Sequence, residues 1–564
     1  MRTLFIAFSL FISYFSFAQE VRKENLSKPV RSYWDFNKIQ IQSKGYYYVD
    51  ELGETGLKHG NWTYYNKAGN VEEEQNYYKG KLHGAVKLFY TEDQLKQEGY
   101  FKLDKQDSVY REWYENGNLK EEGYYTNDYP SGKWSYYYPE GNLMMEEEIV
   151  DSTNFLVSFY LPDSTQTAKD GTGETRIYYS LGKIKERYSY KDGLKDGAFE
   201  EYHLLGHKEV EGYYKAGEKD GSWKHRFYTG SLEKEVSYKS GLLDGPYTLY
   251  YDNGKVKTEG EYEQGKKTGT WTWYTNRGTV DMTGTFENDQ QHGEWRYNYP
   301  TGELSYIANY QEGLMHGEWK YFYKDGSKFK TGTYQNDQKD GTWRTWYENG
   351  QLLMEGDYVA GKEQGEWRNY WDDGKIKNIG NFKDGELNGV WESYYPNGKP
   401  NIIGTYKDGY KSGEWIDYFE NGKPKDIGNY KVTSRKSKVN KGRMIYESVR
   451  HGKWQSFSSK DYQLTEEGEY KNGEKTGQWI AYHKGGRVPA VISEYKDGKL
   501  DGTMSEYAWR GKAPISETEY KNGLKHGKMI VYDKRGRKVL EKKFEYGMEV
   551  IENKQQQPGY FSPK

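Results

Sequence analysis

Six of the ten histidines, His59, His83, His292, His316, His451 and His526, stand immediately before the glycine of a Gly-x-Trp motif or its degenerate form. Imidazoles that return in a fixed context invite two chemistries, a ladder of metal ligands or a set of general bases. The same position elsewhere holds Asp196, Asp220, Asp244, Thr268, Gln364, Asn388 and Ser412. Threonine and serine in that list suit a turn, where short polar side chains bond to nearby backbone, and do not suit a ligand shell. Equivalent side chains two strands apart would also be separated by ~9–10 Å, too far to share one ion. No metal site is therefore expected. Motifs such as HExxH, GxSxG and the phosphate-binding P-loop are absent, and there is no cysteine to act as a nucleophile. The acidic residues cluster in "KDG" and "ENG" turns, where solvation explains them. No catalytic residue, enzymatic activity or cofactor is expected.

Composition narrows the partners. The 564 residues carry a formal net charge of −3, which gives no electrostatic pull toward nucleic acid or an anionic membrane. Aromatic residues make up 17% of the chain, including 60 tyrosines and 18 tryptophans, so the core must be built from rings. Arg2, the apolar run "LFISYFSF", and Ser16 and Ala18 before Gln19 have the order of an export signal over 1–18. Such a chain would be periplasmic or extracellular. Without cysteine it would have neither a lipid anchor at the cleavage point nor disulfides, and no later run is long enough for a transmembrane helix.

The elements that must position these residues follow from a repeat. The anchor glycine recurs every 24 residues at Gly173, Gly197, Gly221, Gly245, Gly269, Gly293, Gly317, Gly341, Gly365, Gly389 and Gly413. Earlier copies start at Gly60, Gly84 and Gly132, with a degenerate one near Asp107, and later ones at Gly452, Gly477, Gly502 and Gly527. In the unit 341–364, one short run carries Trp343, Trp346 and Tyr347, and a second runs through Leu352 and Leu353 to Tyr358. Asn349-Gly350 between them predicts a two-residue type I′ hairpin turn. Gly356, inside the second run, predicts close approach by a tryptophan ring of the paired strand. Each hairpin is too short to stand alone and must pair with its neighbours. The expected fold is all-β, an elongated, solenoid-like, twisted antiparallel sheet of about nineteen tandem hairpins.

The resulting organisation is a signal at 1–18, a cap or linker with a degenerate repeat at 19–58, repeats at 59–148, an insertion at 149–170, strict repeats at 171–430, a basic insertion at 431–449, repeats at 450–547 and a tail at 548–564. The first insertion, with "FLVSFYL", predicts an extra strand or flap. The stretch 431–446 has six basic residues and no acid, and reads as an exposed loop or, alternatively, a docking site for an acidic partner.

The string Gly356-x-Tyr358-x-x-Gly361-x-x-x-Gly365-x-Trp367, followed by "Y-W-D-D-G-K", resembles the MORN repeat, and specifically the bacterial variant found in proteins labelled as antitoxin components. The resemblance spans about 45 to 547. It implies tandem β-hairpins used for protein or lipid contact, with Gly293, Trp295, Gly317, Trp319, Gly341, Trp343, Gly365 and Trp367 as structural anchors and no catalytic residues. The expectation is an exported, non-catalytic scaffold with a protein partner. A binder of cell-surface polysaccharide, a lipid-surface binder and an antitoxin-like protein are the alternatives.

Adjacent rings close the first strand of many units, as in Tyr178-Tyr179, Tyr250-Tyr251, Trp346-Tyr347, Tyr370-Trp371, Tyr394-Tyr395 and Tyr418-Phe419. Strand alternation assigns the second ring of each pair to the tryptophan face. It leaves Tyr178, Tyr250, Trp346, Tyr370, Tyr394 and Tyr418 as a ladder on the opposite face, the expected partner surface. The repeat phase is itself testable. Deleting Gly317 to Asp340 should leave a folded, shorter array by circular dichroism and thermal melting, whereas deleting half that length should unfold the neighbouring repeats.

Overall fold

A computed structural model describes residues 25–91, 93–436 and 442–551; the expected export signal and most of the tail lie outside them. Among the described residues there are 44 strands and no α-helix, and therefore no helix long and apolar enough to cross a membrane. Contacts divide them into two compact units, one running to Thr268 and including Asn276–Gly278, the other formed by Gly269–Thr275 and the residues from Thr279 on. Within each unit the strands form an antiparallel meander in which successive strands pair.

The repeat at Gly341 shows why this sequence folds so. Strand Gln338–Trp346 pairs with Leu352–Val359, placing Trp343 opposite Gly356, and Leu352–Val359 pairs in turn with Lys362–Tyr370. The second pairing is irregular. Asp357 faces Gln364 and Glu355 faces Arg368, so Gly365, Glu366 and Trp367 together oppose Gly356. This bulge turns on the anchor glycine, whose φ of +67° lies in the left-handed region open to glycine. It lays the Trp367 indole on Gly356, where a Cβ would come within 2.1–2.5 Å of three ring atoms. The indole N–H donates to the Asp357 carbonyl at 3.3 Å. The same unit recurs with Trp223 on Gly212, Trp295 on Gly284, Trp343 on Gly332, Trp415 on Gly404 and Trp479 on Gly468. These tryptophans are between 1% and 5% exposed, which makes them the core of a single sheet layer.

Two turns alternate along the meander, and the two-residue turn is not the one expected. Asn349-Gly350 is not a two-residue type I′ turn. The loop is closed by Gly350 N–H donating to the Tyr347 carbonyl and Tyr347 N–H donating to the Gln351 carbonyl, and of the two residues only Gly350 has positive φ. That is a type I turn followed by a left-handed glycine. The two-residue turn is Ala360-Gly361, with φ of +48° and +80° and Val359 paired directly with Lys362. Loop length decides the turn type, and the longer loop allows Asn349 an ordinary φ.

Both insertions become sheet. Thr153–Tyr160 pairs with Leu143–Val150 and with Gln166–Lys169, and Leu156, Phe159 and Ala168 form a small buried cluster, which makes it an extra strand rather than a flap. The basic segment is not the expected loop. Beyond the bulge at Trp454, Pro424–Lys436 and Met444–Phe457 pair without a break from Asn429 opposite His451 to Lys436 opposite Met444, forming a hairpin arm. The β-branched Val432, Thr433, Ile445 and Val449 favour the strand, and Arg435 pairs with Glu447 at 3.4 Å. Residues 437–441 of this insertion lie outside the described ones.

Gly356→Ala should destabilise its repeat by about 1–3 kcal/mol, because the ring must move and its N–H bond is lost. Gly361→Ala, strained only in its backbone, should cost about 1–2 kcal/mol. Amide hydrogen exchange at 343–370 would order the two variants.

Candidate functional site

The sheet has two chemically distinct faces. On the tryptophan face, rings alternate in edge-to-face contact, with Trp343–Tyr358 at 6.1 Å and Tyr358–Trp367 at 5.1 Å, and again Tyr406–Trp415 at 5.1 Å and Trp415–Tyr430 at 6.0 Å. Lysines cap the stack, Lys339 standing 4.8 Å from Trp343 and Lys411 4.0 Å from Trp415.

The opposite face carries the candidate ladder. Tyr178, Tyr250, Trp346, Tyr370, Tyr394 and Tyr418 are each half-buried. Tyr370 donates its hydroxyl to Glu355 at 2.9 Å, Tyr250 to Glu235 at 2.9 Å and Tyr394 to Glu392 at 2.5 Å. The hydrogen bond to Glu392, then burial, pushes the Tyr394 hydroxyl up to about 12, so it remains a neutral donor across the physiological range. Glu355 also accepts from Arg344 at 3.2 Å and lies 3.8 Å from Arg368. Around it the face is a half-exposed ionic network, in which each pair contributes little to stability.

The second rings of the pairs stand elsewhere than expected. Strand Lys362–Tyr370 ends at the first ring, with a register shift between Asn369 and Tyr370, and so strand parity does not extend to Trp371. Where the second ring is tyrosine it lies in the turn and reaches the next repeat. Tyr347 donates to the Tyr370 carbonyl at 2.9 Å, Tyr395 to Tyr418 at 2.8 Å and Tyr179 to Tyr202 at 2.9 Å. Each bond fastens the backbone of a residue at the ladder position in the following repeat.

An apolar strip interrupts the ionic face. Ile403 pairs with Ile416, which pairs with Ile427, all half-buried and on the side away from the indoles. Tyr394 and Tyr418 flank it. Sequence reading missed these residues, although the signal is present: the position before the strand glycine is Glu at 211, 259, 355 and 467 but Ile at 379, 403 and 427.

The residues preceding the anchor glycines face the turn of the next repeat. His59 Nδ1 accepts from the Lys79 N–H at 3.2 Å, Asp196 from Ala216 at 3.0 Å and Asp244 from Gln264 at 3.2 Å. His59 and these aspartates thus do the same work as acceptors, whereas Nδ1 of His83, His316 and His451 is buried without a partner. Among the described residues no group of three or more His, Asp or Glu converges on a point that could hold a metal.

Twelve stretches of the chain match the family model described as "MORN repeat variant": 58–79, 82–103, 106–127, 130–151, 172–192, 243–264, 291–312, 315–336, 339–360, 363–384, 387–408 and 411–431. Each covers one hairpin with its longer turn. The repeats around Trp223, Trp454 and Trp479 lie outside the matched stretches, yet have the same indole-on-glycine contact. No curated protein matches the chain. Among solved structures it is similar to TcdB2-TccC3-Cdc42, at 10% identity over 92% of this chain and 30% of that one, with a TM-score of 0.13. It is also similar to TcdB2-TccC3 without its hypervariable C-terminal region, at 11% identity over 85% and 28%, with a TM-score of 0.12. The chain spans less than a third of the length of those chains, and overlaps at these scores carry no argument.

One half-buried histidine makes a pH prediction. His225, beside Trp223 and facing Lys219 and Lys234, has Nε2 buried without a partner, and burial followed by the two lysines pushes its pKa down from 6.5 to about 4. Its folded pKa is below the unfolded one, so its contribution to stability is complete above pH 6.5 and is lost as pH falls toward 4. Thermal melts should show a steeper acid loss for the wild type than for His225→Gln between those values.

Proposed function

The chain is a tandem array of MORN repeat variants, and from that premise we propose that it is an exported, non-catalytic scaffold that binds a protein partner. The observation that supports this reading is the strip of Ile403, Ile416 and Ile427, flanked by Tyr394 and Tyr418, on a face that carries ion pairs in neighbouring repeats. An apolar centre with aromatic anchors and a charged rim is the composition of a protein-binding hot spot. Glu355, Arg344 and Arg368 belong to the rim, which would govern encounter more than affinity. Export is supported by the order of residues 1–18, and it would place the partner at or outside the cell envelope.

The experiment is affinity capture from envelope and secreted fractions of the source cells with the chain from Gln19 on. It compares wild type with Tyr370→Ser/Tyr394→Ser/Tyr418→Ser and with Ile403→Lys. The expected result is a protein captured by the wild type and lost from both variants, with the melting temperature lowered by only a few degrees because these side chains are half-buried. Capture that survives both variants, or binding only to glycan or liposomes in parallel pull-downs, would overturn the reading. A collapse of the melting transition would show that the rings are core.

A further inference from the structure

The tryptophan face, on the other side of the sheet from the proposed partner strip, has one interruption in its second-unit run of rings. From Trp271 to Tyr495 each ring touches the next at 5.0–6.4 Å, as in Trp367–Phe382 at 5.9 Å and Trp391–Tyr406 at 6.1 Å, except that Phe382 and Trp391 do not meet. The bulge is different here, with Gly380 directly opposite Trp391 and Gly389 at a φ of +122°, and Leu387 pairs with Phe382. Leu387 stands beside Gly380 at 3.2 Å from where a Cβ would be, and the Trp391 indole approaches that glycine only through its far edge, at 2.7–2.9 Å. The Trp391 N–H therefore does not make the bond to the following carbonyl that Trp367 and Trp415 make. The ring is half-buried where its equivalents are buried. A cleft of about 380 Å³ opens between Trp367 and Trp391.

A second departure coincides with the first. Two residues before the anchor glycine, several other repeats place a cation over the tryptophan and the following tyrosine, whereas neutral Gln291 and Met315 stand there at Trp295 and Trp319. Lys219, Lys339, Lys411 and Lys475 stand 4.3, 4.8, 4.0 and 3.7 Å from their indoles, and Arg450 4.4 Å from Trp454. At Trp367 this position is Glu363, and at Trp391 it is Leu387. The repeat thus keeps the aromatic seat for a cation, lacks its own cation and supplies a carboxylate in its place. Lys377 lines the cleft but directs its ammonium over Trp371 at 4.6 Å, and Asn369 and Asn378, bonded to each other at 2.7 Å, form a neutral polar wall.

We propose that the cleft binds an organic ammonium ion, seated against Trp367, Phe382 and Trp391 with Glu363 as its counter-charge. Aromatic walls attract a cation through the ring quadrupole, most strongly when water is excluded, and an alkylated ammonium has a lower desolvation cost than a bare metal ion. The ion is either a small quaternary solute or a lysine side chain presented by another protein, and both have this chemistry.

The test is isothermal titration and saturation-transfer NMR on the chain from Gln19 on, with choline, its neutral isostere 3,3-dimethylbutanol, and Nα-acetyl-lysine amide as probes. Choline or the lysine amide is expected to bind, and the neutral isostere to bind about tenfold more weakly or not at all. Binding of choline alone identifies a small solute, and binding of the lysine amide identifies a side chain. Glu363→Gln should weaken binding severalfold. Glu363→Lys should abolish it while holding or raising the melting temperature, since lysine is the usual residue there and would fill the seat itself. Equal binding of the neutral isostere, unchanged binding by Glu363→Lys, or no cation bound up to about 50 mM would each overturn the proposal.

Discussion

An indole lying on a glycine is the contact from which the rest of this structure follows. A single sheet layer has no second layer to bury its apolar face, so each tryptophan must be covered by its own strand neighbours. Only glycine lets the indole lie against the backbone, only a bulge aims it there, and only a left-handed residue turns the bulge. Gly356, Gly365 and Trp367 are therefore a single device. The carbonyl of Asp357 receives the indole N–H, so a buried polar group that would otherwise be costly is paired.

With one face closed by rings, the other is free to vary. Along much of the chain it varies little, because glutamate, arginine or lysine, and tyrosine hydroxyls pair across strands. The cost of changing it is low, since half-exposed ion pairs hold little stability. A run of isoleucines at 403, 416 and 427 is the kind of local change that such a face tolerates. The rings at 370, 394 and 418 are anchored at their backbones by tyrosines of the preceding repeats where these are present, as at Tyr347 and Tyr395. A partner would thus meet aromatic side chains whose positions are already set.

Much of the fold was legible because it depends on residue identity at a fixed period. The anchor glycines, the tryptophans and the strand glycines beneath them can be read directly, and so can the polar acceptors before each anchor. What was misread depends on counting along paired strands rather than on identity. Asn349-Gly350 has the composition of a two-residue turn, but the strand before it ends at Trp346, two residues short of where such a turn would begin, and Ala360-Gly361 is the turn of that length. The same strand end removed Tyr347 from the tryptophan face. The basic insertion was read by charge, whereas its β-branched Val432, Thr433, Ile445 and Val449 carried the strand. The isoleucine strip and the pair Glu363 and Leu387 were visible only when repeats are aligned and the odd residue at each position is noticed.

The hydrogen bonds between neighbouring repeats are short-range in sequence. Tyr347 reaches Tyr370, His59 reaches Lys79, and Trp367 reaches Asp357, spans of 23, 20 and 10 residues. Topology of this kind has low contact order. A hairpin can settle as soon as the one after it has left the ribosome or a translocation channel, without waiting for the C-terminus. Within each unit, acquisition of structure can then proceed in the direction of synthesis, one hairpin at a time, and the growing sheet edge is covered by the strand that emerges next.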